Sequence, residues 1–131
     1  MRKSKHTGYI MNTIAFNLTL GKDKRICRNF VKCGQLRNCV YFIEIDGVIV
    51  YVGKARDMWK RMDTYRNSKY WQVANPSNIL KTSRLEMAIK KGKCVRLIVD
   101  TYTELDYHEV EIVMIKTHNP EWNKQHYEKA N

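Results

Sequence analysis

The sequence predicts a mixed α/β domain of the α+β kind: a small three-stranded antiparallel sheet flanked by helices, with an extra strand near the N-terminus. Three observations carry that expectation. Two β-rich runs, Val40 to Ile45 and Val48 to Val52, flank Asp46-Gly47. Asp-Gly suits a two-residue type I′ hairpin, whose turn positions both need positive φ. After Gly53 the apolar period lengthens from that of a strand to that of a helix, with Met58, Met62 and Tyr65 on one face and Asp57 placed as N-cap. Two more helical patterns follow, separated by one short β-rich run. With 131 residues, 44% of them hydrophobic, the chain suits one domain with a modest core and is too apolar for disorder.

In chain order, residues 1–12 are polar and basic. From Thr13 to Leu20 the residues Ile14, Phe16, Leu18 and Leu20 alternate with smaller or polar ones, as in a half-buried strand, and Gly21 ends the run. GKDKRICRNFVKCGQLRN reads equally as loop or short helix, and serves either as linker packed on the core or as a DNA-gripping or dimer-contacting extension. Beyond the hairpin and its helix, Arg66 to Asn78 is a loop carrying Tyr70 and Trp71. Ser77 to Lys91 is expected as a helix with Ile79, Leu80, Leu85, Ala88 and Ile89 inward and Gly92 at C′. On that pattern Lys81, Arg84, Lys90 and Lys91 lie on polar faces. Cys94 to Val99 reads as a third strand. Thr103 and Asp106 fit a capping box opening a helix from Glu104 to about Lys116. Pro120 stops the helix, and Trp122 closes the base of the core.

The net charge is +11, and it is uneven: residues 1–38 hold nine Lys/Arg and one acidic residue. That balance suits a polyanion, with nucleic acid ahead of an acidic membrane surface; a solvated basic face is the bland alternative. No run approaches the length of a transmembrane helix, and the N-terminus lacks the apolar core of a signal peptide, so a soluble cytoplasmic protein is expected. Cys27, Cys33, Cys39 and Cys94 form no CxxC unit. Free thiols are favoured over a zinc-stapled module built from the first three cysteines and a histidine.

Val40-Tyr41 and Tyr51-Val52-Gly53 resemble the two halves of the GIY-YIG nuclease signature, with Cys39-Val40 replacing Gly-Ile and Val52 replacing Ile. Arg61 in GKARDMWKR stands where that family has its helix arginine. VEIVMIKTHNPEWN supplies the later glutamate, Glu111, and the terminal asparagine, Asn123. The resemblance spans roughly residues 37 to 125, and leaves residues 1–36 as a basic extension with one strand and 37–131 as the nuclease-like domain. VYVGKARDMWKR and NPEWNKQH are most similar to small phage-encoded members of the family. That likeness implies cutting of host duplex DNA in the host cytoplasm with low sequence specificity, by a homodimer or homotetramer.

What the resemblance implies for chemistry can be set beside the residues themselves. Glu111 lies among Val110, Ile112, Val113, Met114 and Ile115, where a lone carboxylate is costly unless paired or bound to a cation. By resemblance it holds Mg²⁺ (or Mn²⁺), a hard ion that matches one carboxylate plus phosphate oxygens and waters. Arg61 would stabilise the scissile phosphate, as a permanently charged planar fork suits. Tyr41 and Tyr51 would hold or deprotonate the attacking water. Lys54 is a phosphate or water contact, and Tyr65 takes the place of a histidine found in some relatives. Gly53 and Asn123 are structural. Arg56, Lys60, Lys81, Arg84, Lys24 and Arg25 are candidate DNA contacts, and Glu109 is the fallback acid. Other outcomes are a nuclease of branched or damaged DNA, a homing-type enzyme, or a basic binding module without cleavage. The arrangement requires Glu111 and Arg61 to meet in one pocket, on the same side of the sheet.

Overall fold

A computed structural model describes residues 2–3, 10–73, 75–102 and 107–124. Its sheet has the order β1-β2-β5-β3-β4 and is antiparallel throughout. The strands are β1 (Arg2–Lys3), β2 (Ile10–Asn17), β3 (Arg37–Ile45), β4 (Val48–Asp57) and β5 (Val95–Thr101). The helices are α1 (Met58–Asn67), α2 (Pro76–Lys90) and α3 (Tyr107–His118), with a 3-10 turn at Ser68–Tyr70. β3 and β5 run through the middle, and β4 forms one rim.

The hairpin of β3 and β4 turns at Asp46 (φ 50°) and Gly47 (φ 84°), the left-handed pair that a type I′ turn demands. Its register slips by one residue at Val50, immediately before Tyr51. Such bulges often sit beside functional sites, because they re-aim the next side chain. At the far end Asp57 caps α1, its carboxylate accepting from the Trp59 N–H at 3.0 Å and from the Gly34 N–H at 2.9 Å. One carboxylate thus fixes the helix start and pins the preceding loop to it.

Both faces of the sheet are covered, which is why Cys39 to Ile43 are buried without alternation. Cys39, Tyr41, Ile43, Leu97 and Val99 point to α1 and α2, and pack with Met58, Met62, Tyr65, Leu85 and Trp122. Val40, Phe42 and Val52 point the other way, onto Tyr107 and Val110 of α3.

Several elements differ from the expectation. The N-terminal strand spans Ile10–Asn17 rather than Thr13 to Leu20, because the paired register with β5 ends at Asn17; Leu18 adds one last bond to the Val95 carbonyl, and Leu20 pairs with Ile26 instead. The fifth strand begins at Val95, leaving Cys94 exposed, and runs on to Thr101 along β3. The run after Gly21 is a turn-rich loop, tied by a bridge between Leu20 and Ile26. α2 starts at Pro76 behind an Asn75 cap, and ends with Gly92 (φ 77°) closing a Schellman-type turn in which the Lys93 N–H bonds the Ala88 carbonyl. Its inward face holds Lys81, Thr82, Leu85, Glu86 and Ala88, while Ile79 and Leu80 are half-buried. Lys81 is therefore off the polar face where the apolar pattern put it. The last helix is described from Tyr107 to His118; the capping residues 103 and 106 lie outside the described residues. No helix among the described residues is long and apolar enough to cross a membrane.

Candidate active site

Three phenols meet on the α1/α2 face. Tyr41 stands on β3 opposite Gly53 of β4, and Tyr51 stands one pleat along on β4, opposite Ile43. Their ring centres are 6.0 Å apart. Tyr65 comes down from α1, edge-on to Tyr41, and the two hydroxyl oxygens are 2.6 Å apart. Gly53 makes this possible. A Cβ there would lie 2.6 Å from the Tyr41 ring carbon and oxygen, and 2.8 Å from the Tyr51 ring.

Burial separates the three. Tyr41 and Tyr65 are 1% and 2% exposed and satisfy each other, whereas Tyr51 keeps some open surface. Desolvation raises all three phenols above their ordinary value, and the charge of Arg61 opposes the rise. Tyr51 is thus the phenol of the three that solvent reaches.

Arg61 lies on α1 one turn before Tyr65, so both project toward the same rim. One terminal nitrogen is 3.5 Å from the Lys54 carbonyl oxygen, at the limit of a hydrogen bond. Its Nε is buried and has no partner among the described residues. The three phenols and Glu111 hold its proton more tightly than usual, with Tyr41 foremost. Beside it opens a cleft of about 440 Å³ lined by Cys33, Arg37, Arg56, Lys60 and Arg61. Asp57, also at its wall, has both oxygens engaged by backbone N–H groups.

Glu111 corrects one expectation. α3 packs on the opposite face of the sheet from α1, so the acid and the arginine do not share a side. The charge of each still registers on the other, and the rim strand β4 is the one beside both. Lys54 points to the α3 side and places Nζ 3.7 Å from the Glu111 carboxylate. The glutamate side chain is 16% exposed, and burial raises its pKa despite Lys54, His108 and Arg61. Glu109 is exposed on another face of the helix. Ile112 is half exposed, so α3 is less enclosed than its apolar composition suggested.

Asn123 sits on the free edge of β4. Its amide accepts from the Val52 N–H at 2.9 Å and donates to the Val52 carbonyl at 2.8 Å, replacing the strand that the rim lacks. The same peptide precedes Gly53, so the tether holds the segment bearing both glycine and tyrosine.

The remaining cations divide. Arg56 and Lys60 face the cleft by Arg61. Arg84 lies over the Trp122 ring, at a separate groove beside the hairpin tip. Arg25 bonds Asn67 and stacks on Tyr70, Arg28 pairs with Asp63, and Arg66 pairs with Asp23. Arg25 and Arg28 of the basic N-terminal segment are therefore bound to α1. Lys24 is exposed in a turn (φ 65°), and the fold brings neither it nor Arg25 to the phenols. Lys81, read from sequence as a surface phosphate contact, instead buries its Nζ 3.2 Å from the Tyr51 hydroxyl. A lysine one turn ahead of Leu85 on the inward stripe was the available signal.

A metal has one carboxylate to meet. Glu111 is largely enclosed and under-compensated, with some of its surface open, which fits a hard cation that keeps most of its waters. Among the described residues, no three or more of His, Cys, Asp and Glu cluster as a closed metal cage would require. Cys39 is buried, and desolvation with nearby Asp57 and Asp100 pushes its thiol up to about 12.

The sequence model of the family described as UvrC-like GIY-YIG domain matches residues 37–124. The chain is 30% identical over 104 residues to Endonuclease II of Enterobacteria phage T4, covering 70% of this chain and 76% of that protein. A solved structure of a bacteriophage T4 EndoII mutant superposes with a TM-score of 0.69 at 22% identity, covering 90% of this chain and 93% of the other.

Proposed function

The chain belongs to the GIY-YIG family, and from that premise we propose that it is a divalent-metal-dependent endonuclease hydrolysing phosphodiester bonds of duplex DNA. The observation that carries the reading is Arg61. A half-buried arginine whose Nε is enclosed and unpartnered among the described residues, beside three phenols and across the rim strand from a carboxylate, matches the charge of a phosphate. DNA following the cleft of Arg37, Arg56 and Lys60 would deliver its backbone there.

In this mechanism Arg61 binds the scissile phosphate and stabilises the charge that grows on its oxygens. Tyr51 holds the attacking water. The hydroxyl pair of Tyr41 and Tyr65 fixes the floor of the pocket and excludes solvent from it. Glu111 is the residue that would hold Mg²⁺ or Mn²⁺, with Lys54 beside it; the bound ion supplies charge neutralisation at the phosphoryl and leaving oxygens. One such centre cuts one strand at a time, so a double-strand break needs two copies of the chain, as a homodimer or homotetramer would provide. A phage enzyme acting on host DNA with low sequence specificity agrees with contacts made chiefly to backbone.

Supercoiled plasmid incubated with Mg²⁺ should be nicked, and EDTA should stop it. Arg61→Ala and Glu111→Ala should each lower the rate by about 10²-fold or more. A variant of either kind that still cuts at the parent rate removes the site assignment, and DNA shifted in a gel but never nicked leaves only a binding module.

A further inference from the structure

A lysine on a helix surface keeps its ammonium in water. Lys81 does not: it is 8% exposed, with Nζ 3.2 Å from the Tyr51 oxygen and 4.3 Å from the centre of that ring. Among the described residues it has no carboxylate partner. Burying an amine beside a guanidinium is unfavourable, and a phenol gives little return for a charge. The contact of the ammonium with the Tyr51 ring offsets only part of that cost, so the proton is held less tightly than on a free lysine.

We propose that Lys81 is the terminal proton acceptor of the hydrolytic step, acting through Tyr51. This rests on the nuclease reading above. Lys81 touches neither DNA nor the attacking water, so its place is that of a positioning residue. The water gives its proton to the Tyr51 oxygen while the Tyr51 hydroxyl proton passes to the lone pair of Lys81 Nζ. The oxygen so freed bonds to phosphorus, and the bond from phosphorus to the leaving deoxyribose oxygen breaks, that oxygen taking a proton from solvent. The phenol carries no full negative charge at any point. This matters because burial makes phenolate costly at Tyr51, so the phenol is a poor base alone. Tyr41 and Tyr65 share a hydroxyl hydrogen bond, while Tyr51 is the phenol of the three that meets the Lys81 amine.

Desolvation, helped by the charge of Arg61, lowers Lys81 to about 8, where an amine exchanges protons near neutral pH. The groups facing the pair are Tyr41 on β3, Arg61 and Tyr65 on α1, and Glu111 on α3. On α2 itself Arg84 is turned to Trp122. The bond survives in either state: the ammonium donates to the phenol oxygen, and the amine accepts from its O–H.

The test is plasmid nicking with Mg²⁺ from pH 6 to 9.5 by the parent, Lys81→Met and Lys81→Arg, with DNA affinity read separately by gel shift. The parent rate should climb with pH and level off above about 8, since the base must first lose its proton. Lys81→Met should lose that climb, with kcat about 10²-fold lower and KM little changed. Lys81→Arg should stay equally slow, because a guanidinium keeps charge and donors but accepts no proton. Restored activity in Lys81→Arg overturns the proposal. So does a loss of affinity at unchanged kcat with a salt slope reduced by about 1, the mark of a phosphate contact. If Lys81→Met fails to fold, NMR titration of the lysine Nζ in the parent and in Tyr51→Phe decides. A midpoint near 8 that moves with Tyr51→Phe supports the relay, and one near the ordinary ~10.4 ends it. A parent that never nicks DNA brings down the nuclease reading itself; an active parent with an unaffected Lys81→Met brings down the relay alone.

Discussion

At Gly53 a single added methyl would strike the Tyr41 phenol and the Tyr51 ring, both under 3 Å away. Gly53→Ala should therefore push the phenols apart, costing about 1–3 kcal/mol as overpacking and most of the nicking activity. Thermal unfolding and plasmid nicking measure the two effects; a variant as active as the parent would show that the close approach is incidental. Glu111 makes the complementary case. Its folded-state pKa is raised, so ionising it works against the fold, and its relative contribution is lost as pH rises above the usual carboxylate range. Glu111→Gln does not titrate. It should equal the parent in melting temperature at low pH and exceed it at pH 8, while nicking is lost. A Tm difference that shrinks with rising pH would contradict the sign. Both residues are candidates that the chain itself offers; the reason the glycine is needed is not legible there, because no local pattern says which side chains cross it.

Elements were read where their signals are local. Asp46-Gly47, the Asp57 cap and Gly92 each act within a few residues, and each stands where its chemistry demands. Helix α2 is less legible in its own sequence. Ile79, Leu80 and Leu85 drew the apolar stripe toward themselves, yet the buried arc takes in Lys81, Thr82 and Glu86. Thr82 bonds the Tyr65 carbonyl, Glu86 binds Lys69 and Tyr70, and Lys81 meets Tyr51. Polar residues are tolerated inside because partners on other elements satisfy them. Hydropathy along one helix cannot register partners elsewhere. The rim tether belongs to this scale as well. Asn123→Ala would leave the Val52 N–H and carbonyl buried and unmatched, and should cost about 1–3 kcal/mol. Urea unfolding would show it. Asn123→Asp, which keeps the acceptor but loses the donor, should recover only part.

Across the whole molecule, charge is sorted by what it touches. Arg28 is tied to Asp63 and Trp59, whereas Arg56 and Lys60 line the cleft. Arg28→Ala should lower Tm and leave the salt dependence of DNA binding unchanged. The double variant Arg56→Ala/Lys60→Ala should leave Tm near the parent and reduce the slope of log affinity against log salt by roughly 2. Equal slopes in both variants would break the distinction. The site itself is also a property of the whole. β4 lies at the rim and separates two groups of candidate residues: phenols and arginine on one face of the sheet, the glutamate and Lys54 on the other. By itself the sequence determined the hairpin, the caps, the helices that follow, and which residue types could do phosphate chemistry, since turn φ angles, capping bonds and hydrophobic period are set by neighbours along the chain. Only the tertiary structure decided that β4 is a rim, that α3 and its acid lie on the other face of the sheet from Arg61, that Arg25 and Arg28 turn onto α1, and that Lys81 lies against Tyr51. Those outcomes depend on strand order and on desolvation by distant residues, and neither is written in any one stretch of the chain.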